Sequence, residues 1–178
     1  VRQILSFSRA QPQTLGPVSL ESVLQDAIRL LRASLPARIK IVTNLAPETP
    51  KVMADTTQIH QLLMNLCTNA LHAIGDRIGR IELTLESVAV AGEPATSGLQ
   101  PGAYARLGVS DSGSGMDNAT LQRIFDPFFT TKAPTGGENV GLGLSIVNDV
   151  IVTHGGVITL KSAVNEGATF CFELPAKL

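Results

Sequence analysis

An apolar run, Tyr104 to Val109, leads into Asp111-Ser-Gly-Ser-Gly115, and no other stretch restricts the fold so tightly. The run reads as a buried strand. A strand that finishes on a carboxylate and two spaced glycines is a ligand-facing turn. The glycines permit positive φ and close backbone approach, and a carboxylate on a rigid strand end can accept hydrogen bonds from one specific donor group. Arg80 to Val90 alternates strongly enough to be the preceding strand. Ala91 to Gly102, rich in Gly, Pro, Ala and Ser, reads as a surface hairpin loop, and Ala103 to Ser110 as the return strand. Alone, Asp-x-Gly-x-Gly fits an ordinary turn equally well.

The rest of the chain narrows its class. With 178 residues and 44% hydrophobic content it suits one domain able to bury a core. Fourteen Lys and Arg against 15 Asp and Glu leave neither a basic field for nucleic acid nor an acidic tail. No apolar run approaches the ~20 residues that span a bilayer, so a soluble chain without membrane contact is expected. Cys67 and Cys171 stand far apart in apolar surroundings, which fits neither a disulfide framework nor zinc spacing. Reduced core cysteines in a cytoplasmic compartment are the expectation. Because the chain begins at Val1, it reads as a fragment.

Val1 to Ala10 resembles the end of a helix with Ile4, Leu5 and Phe7 on its apolar side, and Gln11 to Pro17 reads as a linker. Ser19 can cap a helix carrying Leu20, Val23, Leu24, Ala27, Ile28 and Leu31. Ile39 to Leu45 suits a strand, and Lys51 to Ala54 a short extended piece. Asp55 is the N-cap of a helix reaching about Ile74, with Ile59, Leu62, Leu63, Leu66, Ala70 and Ala73 in one stripe. Asn65, Asn69 and His72 fall along one edge of that stripe. Asparagines at a core boundary require partners. Either they bond neighbouring loops, or their neutral amide oxygens serve a hard cation such as Mg²⁺ that phosphate and water complete.

Asp117 caps a short helix carrying Leu121 and Ile124. Phe125-Asp-Pro-Phe-Phe-Thr-Thr-Lys132 follows, holding three of the six phenylalanines. An aromatic plug broken by Pro127, then hydroxyls and a cation, then Ala133 to Asn139 with Gly136 and Gly137, describes a hinged lid. Gly141-Leu-Gly-Leu-Ser145 opens a helix that His154-Gly-Gly156 stops. Glycines at a helix start leave N–H groups free to face an anion. No Gly-Lys-Ser/Thr follows, so this is not a P-loop, and Ile146 spoils a dinucleotide fingerprint. Val157 to Val164 and Ala168 to Leu174 close the chain as a strand pair turning at Gly167.

Asn65-Leu-Cys-Thr-Asn69-Ala, Asp111 to Gly115, Phe125 to Lys132 and Gly141 to Gly143, in that order, resemble the N, G1, F and G2 boxes of the ATP-binding domain of sensor histidine kinases. The tail, Gly167-Ala-Thr-Phe170 with Glu173-Leu-Pro175, is similar to the closing strand of that family. The family belongs to the larger group sharing the gyrase-like nucleotide fold, and the match covers residues 18 to 175. It implies a two-layer α/β sandwich: a mixed, mostly antiparallel sheet with helices on one face and nucleotide held between sheet and lid. It also implies a division into residues 1–16, the end of a dimerisation-hairpin helix and linker, and residues 17–178, the ATP-binding domain.

The resemblance implies that Asp111 accepts from the adenine amino group, with Ala73, Gly113, Gly115 and Met116 around the base. Asn69 and Asn65 hold Mg²⁺, and Lys132 with the amides of Gly141, Leu142, Gly143 and Leu144 meets the phosphates. Phe129, Thr130 and Thr131 belong to the lid side. The sequence departs from the family at His72, where many relatives carry lysine or another polar residue. It departs again at Asn139 and Val140, where Gly-Thr is frequent, and at Ala168, where related ATPases place a threonine near the base and Thr169 is the neighbouring hydroxyl.

Three reactions fit: ATP-dependent phosphorylation of a protein histidine, ATP hydrolysis of the gyrase kind, or nucleotide binding without chemistry. The hydrolases carry a glutamate at the place of Asn65, and an amide cannot activate water. In the kinases the acceptor histidine precedes an acidic residue. His60, His72 and His154 precede Gln61, Ala73 and Gly155, so the acceptor is expected upstream, in the chain's own dimerisation domain within a homodimer. A response regulator is the expected second partner, and a membrane anchor on the parent is compatible with a cytoplasmic fragment.

Overall fold

The computed structural model describes residues 14–91, 99–131 and 141–177. The helix end at Val1 to Ala10, most of the 91–102 loop, Lys132 and the predicted lid at 133–139 lie outside them.

The element order is β1 (Gly16–Val18), α1 (Leu20–Ser34), β2 (Ile39–Leu45), β3 (Val52–Ala54), α2 (Thr56–Ile74), β4 (Gly79–Val90), β5 (Gly102–Asp111), α3 (Asn118–Leu121), α4 (Gly143–Thr153), β6 (Val157–Ser162) and β7 (Ala168–Pro175). Five strands form one sheet in the order β2-β4-β5-β7-β6. β2 runs parallel to β4 and every other pair is antiparallel. The structure is the expected mixed sheet with helices on one face.

Alternation explains which face is covered. Ile81, Leu83 and Leu85 of β4, Leu107 and Val109 of β5, and Phe170, Phe172 and Leu174 of β7 are buried against the helices. The intervening positions carry Glu82, Thr84 and Glu86, then Arg106 and Ser110, then Thr169, Cys171 and Glu173. On that polar face Arg106 joins Glu86 at 3.0 Å and Glu173 at 2.9 Å. Cys67 is fully buried in α2, where burial pushes its thiol up to about 12. Cys171 sits half-buried on the polar face, so only one of the two is a core cysteine. Both are free.

The helices form for local reasons. Ser19 Oγ caps α1, and Leu20, Val23, Leu24, Ala27, Ile28 and Leu31 are its buried stripe. Asp55 caps α2 by accepting from the N–H groups of Thr57 at 2.8 Å and Gln58 at 3.3 Å. Gly75, at φ 65°, ends it. Asp117 caps α3, which stops at Leu121; Ile124, expected on that helix, is buried in the turns beyond it.

A further expectation is corrected. Gly16 and Pro17 fall inside the predicted linker, yet Gly16–Val18 forms β1, antiparallel to β3 in a separate two-stranded ribbon. A three-residue strand beginning Gly-Pro has too little periodicity to read, and pairing with Val52–Ala54 decides its conformation.

Candidate functional site

Asp111 is the last residue of β5, opposite Ile81 on β4 and Ala168 on β7. Its parity turns the side chain toward the helix layer, as for Leu107 and Val109. Oδ1 accepts the Gly113 N–H at 2.7 Å, and Ala168 stands opposite on β7. Burial pushes this carboxyl above the usual carboxylate range, and the neighbouring backbone amides of Gly113 and Ala168 offset it only in part.

The turn beyond Asp111 is clamped from two sides. A Cβ on Gly113 would stand 2.6 Å from Ala73 Cβ, and the Ser114 N–H donates to Ala73 O at 3.0 Å. On the other side, Gly115 holds φ +65°, and a Cβ there would fall 1.8 Å from Ala163 O. Asn165 N–H donates to Ser114 O at 2.6 Å. The glycines that suggested close approach to a ligand thus serve close approach of protein to protein, which sets Asp111 beside the C-terminal half of α2. Half-buried Met116 donates its N–H to Ser162 Oγ at 3.0 Å.

Asn65 and Asn69, one helical turn apart on α2, are both half-buried and both face the start of α4. Asn65 Nδ2 donates to Gly143 O at 3.4 Å. A Cβ on Gly143 would lie 3.9 Å from Asn65 Cγ and 3.9 Å from Asn69 Nδ2. The N-cap position of α4, Leu142, supplies no side-chain cap. Its 11-residue helix therefore presents its first N–H groups, with the helix dipole behind them, beside two asparagine amides. Ser145, buried, donates to Leu142 O at 2.9 Å and steadies this opening turn, which Leu144 anchors against the core.

The aromatic segment docks on the same turn. Gly141, at φ +71°, approaches so closely that a Cβ would stand 2.6 Å from both Phe128 C and Phe129 O. Phe128 itself takes φ 66° and is 69% exposed, so it is no core residue. Phe129 lies under the Arg123 guanidinium at 4.6 Å. Thr130 and Thr131 follow it on the surface.

The predicted positions thus gather in two neighbouring groups along α2: Asp111, Gly113 and Gly115 against Ala73, and Asn65, Asn69 and Gly143 against Gly141 and Phe129. His72 is exposed on α2 between them in sequence. Thr169 is not brought in. It pairs with Ser110 on the polar face of the sheet, their hydroxyls 2.8 Å apart, while Ala168 holds the register opposite Asp111. The alternation of Ala168, Phe170 and Phe172 with Thr169, Cys171 and Glu173 carries that signal. Ser162 and Asn165 clamp the turn without a motif to announce them; only the Gly167 turn hints that this loop closes on something.

Among the described residues no group of three His, Cys, Asp or Glu gathers to hold a metal. The side-chain amides of Asn65 and Asn69 stand beside the start of α4. Such neutral donors suit a hard cation that arrives with phosphates of its own.

Comparison with known proteins agrees with this geometry. Residues 54–178 match the family model described as "Histidine kinase-, DNA gyrase B-, and HSP90-like ATPase". The sensor histidine kinase ZraS of Klebsiella oxytoca is 34% identical over 176 residues, 98% of this chain and 34% of that protein. The chain spans about a third of the length of the curated relatives it matches. Full-length ShkA in complex with AMPPNP superposes with a TM-score of 0.74 at 27% identity, covering 97% of this chain and 33% of that one. The histidine kinase ThkA in complex with the response regulator protein TrrA gives 0.74 at 28%, covering 99% and 46%.

Proposed function

The chain belongs to the histidine kinase-, DNA gyrase B-, and HSP90-like ATPase family, as a histidine-kinase ATP-binding catalytic domain, and from that premise we propose that it binds Mg-ATP and donates the γ-phosphate to a histidine on a dimerisation domain upstream. Residues 17–178 are then the nucleotide domain and residues 1–16 its link to the acceptor helix. A cytoplasmic location and a response regulator as the next partner complete this reading, the latter supported by the TrrA complex of ThkA.

The single observation that carries it is the pairing of Asn65 with the opening of α4. An amide, not a carboxylate, stands where a water-activating base would be, so the site can neutralise phosphate but cannot generate a nucleophile. Asp111 accepts from the adenine 6-amino group. The first N–H groups of α4 and Lys132 meet the phosphates, and the oxygens of Asn65 and Asn69 hold Mg²⁺. When bound, the cation neutralises phosphate charge. Everything else in transfer is positioning: the acceptor must reach ~3–3.5 Å from phosphorus, in line, with a lid excluding water.

The test uses γ-labelled ATP. With Mg²⁺ the chain alone is expected to bind ATP and release phosphate barely at all. Added to its upstream dimerisation hairpin, it is expected to give acid-labile, base-stable label on the hairpin. Rapid phosphate release by the chain alone would favour the hydrolase, and binding without transfer to an intact hairpin would favour a regulatory module.

A further inference from the structure

Where the sheet ends, Asp111 meets the β6–β7 turn more closely than strand pairing requires. Gly167 takes φ +75°, and a Cβ there would lie 1.9 Å from Asp111 O, so only glycine fits. The peptide joining Gly167 to Ala168 faces two ways. Its N–H side faces β5, where Ala168 stands opposite Asp111, and its carbonyl accepts the Ser162 hydroxyl at 2.6 Å. The same Ser162 oxygen accepts the Met116 N–H at 3.0 Å, on the far side of the Asp-Ser-Gly-Ser-Gly turn. One hydroxyl therefore uses its donor on the segment that holds the carboxylate and its acceptor on the segment that follows it.

We propose that Ser162 is a positioning residue for base recognition, tying the Gly167–Ala168 peptide packed against Asp111 to the turn that follows Asp111, so that its carboxylate is held toward the 6-amino group of adenine. The inference rests on Asp111 as the adenine acceptor. Hydrogen bonds in series polarise one another, so donation to the Gly167 carbonyl strengthens the Ala168 N–H as a donor. Without the hydroxyl, that peptide and the Met116 N–H each lose a partner, and the turn that carries the carboxylate is held less firmly. Adenine then loses a well-aligned acceptor. Guanine, whose 6-oxygen is repelled by the same carboxylate, loses much less. The phosphate groups, bound at α4, are unaffected.

The experiment compares Kd for ATP, GTP and inorganic tripolyphosphate, each with Mg²⁺, in the parent chain, Ser162→Ala and Ser162→Thr. For Ser162→Ala, ATP binding should weaken about tenfold, the size of one lost hydrogen bond, with tripolyphosphate changed less than about twofold. The ATP:GTP preference should fall by a similar factor, and Ser162→Thr should restore it. Should the alanine variant fold poorly, Ser162→Val against Ser162→Thr isolates the hydroxyl at constant shape. Equal weakening of all three ligands, or an unchanged ATP:GTP ratio, would overturn the proposal. Asp111→Asn separates the two layers of argument. If it alters the ATP:GTP ratio while Ser162→Ala does not, only the role of Ser162 fails; if neither does, Asp111 is not the adenine acceptor.

Discussion

At the scale of single residues, Asp111 carries opposing demands from folding and binding. Its carboxyl is held above the ordinary value by burial, so the folded chain binds that proton more tightly than the unfolded chain does. Ionising it therefore costs stability as pH rises from the ordinary carboxylate value through the raised one, and the cost persists above. Binding has the opposite sign, because the adenine amino group requires the ionised acceptor. Affinity for ATP should fall on acidification at a pH above that of an ordinary carboxylate, and in Asp111→Asn this part of the profile should vanish. At neutral pH the variant should lose ~1–3 kcal/mol of ATP affinity, selectively for adenine, while folding at least as stably as the parent. Calorimetric ATP titration of both proteins across pH, with thermal melts alongside, checks each half; equal pH profiles would remove Asp111 from the base. The place of Asp111 at the end of a strand was legible from the apolar run before it and the spaced glycines after it, a pattern that alone fits an ordinary turn equally well. The face taken by Thr169 was legible too, through alternation, but a resemblance aligned by motif does not weigh sidedness. Ser162 was not legible, because a serine closing a strand has no pattern until the loop it meets is known.

At the scale of elements, the elements that carry the site are joined at their far ends. α2 starts at Asp55, whose carboxylate accepts from Thr57, Gln58 and Thr14, the last at 3.1 Å from the β1 side. Its backbone N–H donates to Nε2 of buried His154 at 3.0 Å, and His154 Nδ1 is 2.6 Å from Val150 O at the end of α4. Both ring nitrogens are thus used, with Nδ1 donating to the carbonyl, so His154 is a structural histidine at the end of α4. Partial burial raises the Asp55 carboxyl, but donation from Thr14, Gln58 and Thr57 outweighs it and leaves the group below its ordinary value. A depressed carboxyl stabilises the fold above its unfolded value, and that contribution is lost as pH falls through the folded value. Asp55→Ala should cost about 1 kcal/mol near neutrality, from the lost cap, and less in acid. His154→Leu should cost ~1–3 kcal/mol by leaving the Asp55 N–H buried without an acceptor. Urea unfolding of the single variants and the double variant would show a non-additive pair, since both act on one joint; strict additivity would mean that α2 and α4 are fixed independently. Caps and apolar stripes made these helices legible individually. Their junction was not, because a contact between residues 55 and 154 leaves no local mark.

At the scale of the whole molecule, the sheet order places β4, β5 and β7 at the centre, so that the carboxylate at the end of β5 is braced on both sides, while α2 and α4 cross the covered face. Long alternating strands and capped helices announced the layers. The parallel pairing of β2 with β4 was not announced, since order in a sheet depends on crossovers that no local pattern records. Among the described residues, two groups of site residues, around Asp111 and around Gly143, both pack against α2, so one ligand touching both must tie sheet and helices together. A ligand that binds only the folded chain stabilises it by RT ln(1 + [L]/Kd), about 2.7 kcal/mol at a hundredfold excess over Kd. For a chain of this size that should raise Tm by roughly 5–11 °C. If Asn65 and Asn69 supply oxygen to Mg²⁺, the rise at fixed ATP should shrink when EDTA is added, and Asn69→Ala should lose the Mg²⁺-dependent part while keeping the part seen with ATP and EDTA. Differential scanning calorimetry with ATP, Mg-ATP and Mg-tripolyphosphate separates these contributions. Adenine contacts raise Tm in the first two, cation contacts in the last two, and an Asn69→Ala variant that kept its full response to Mg²⁺ would exclude that residue from the cation site.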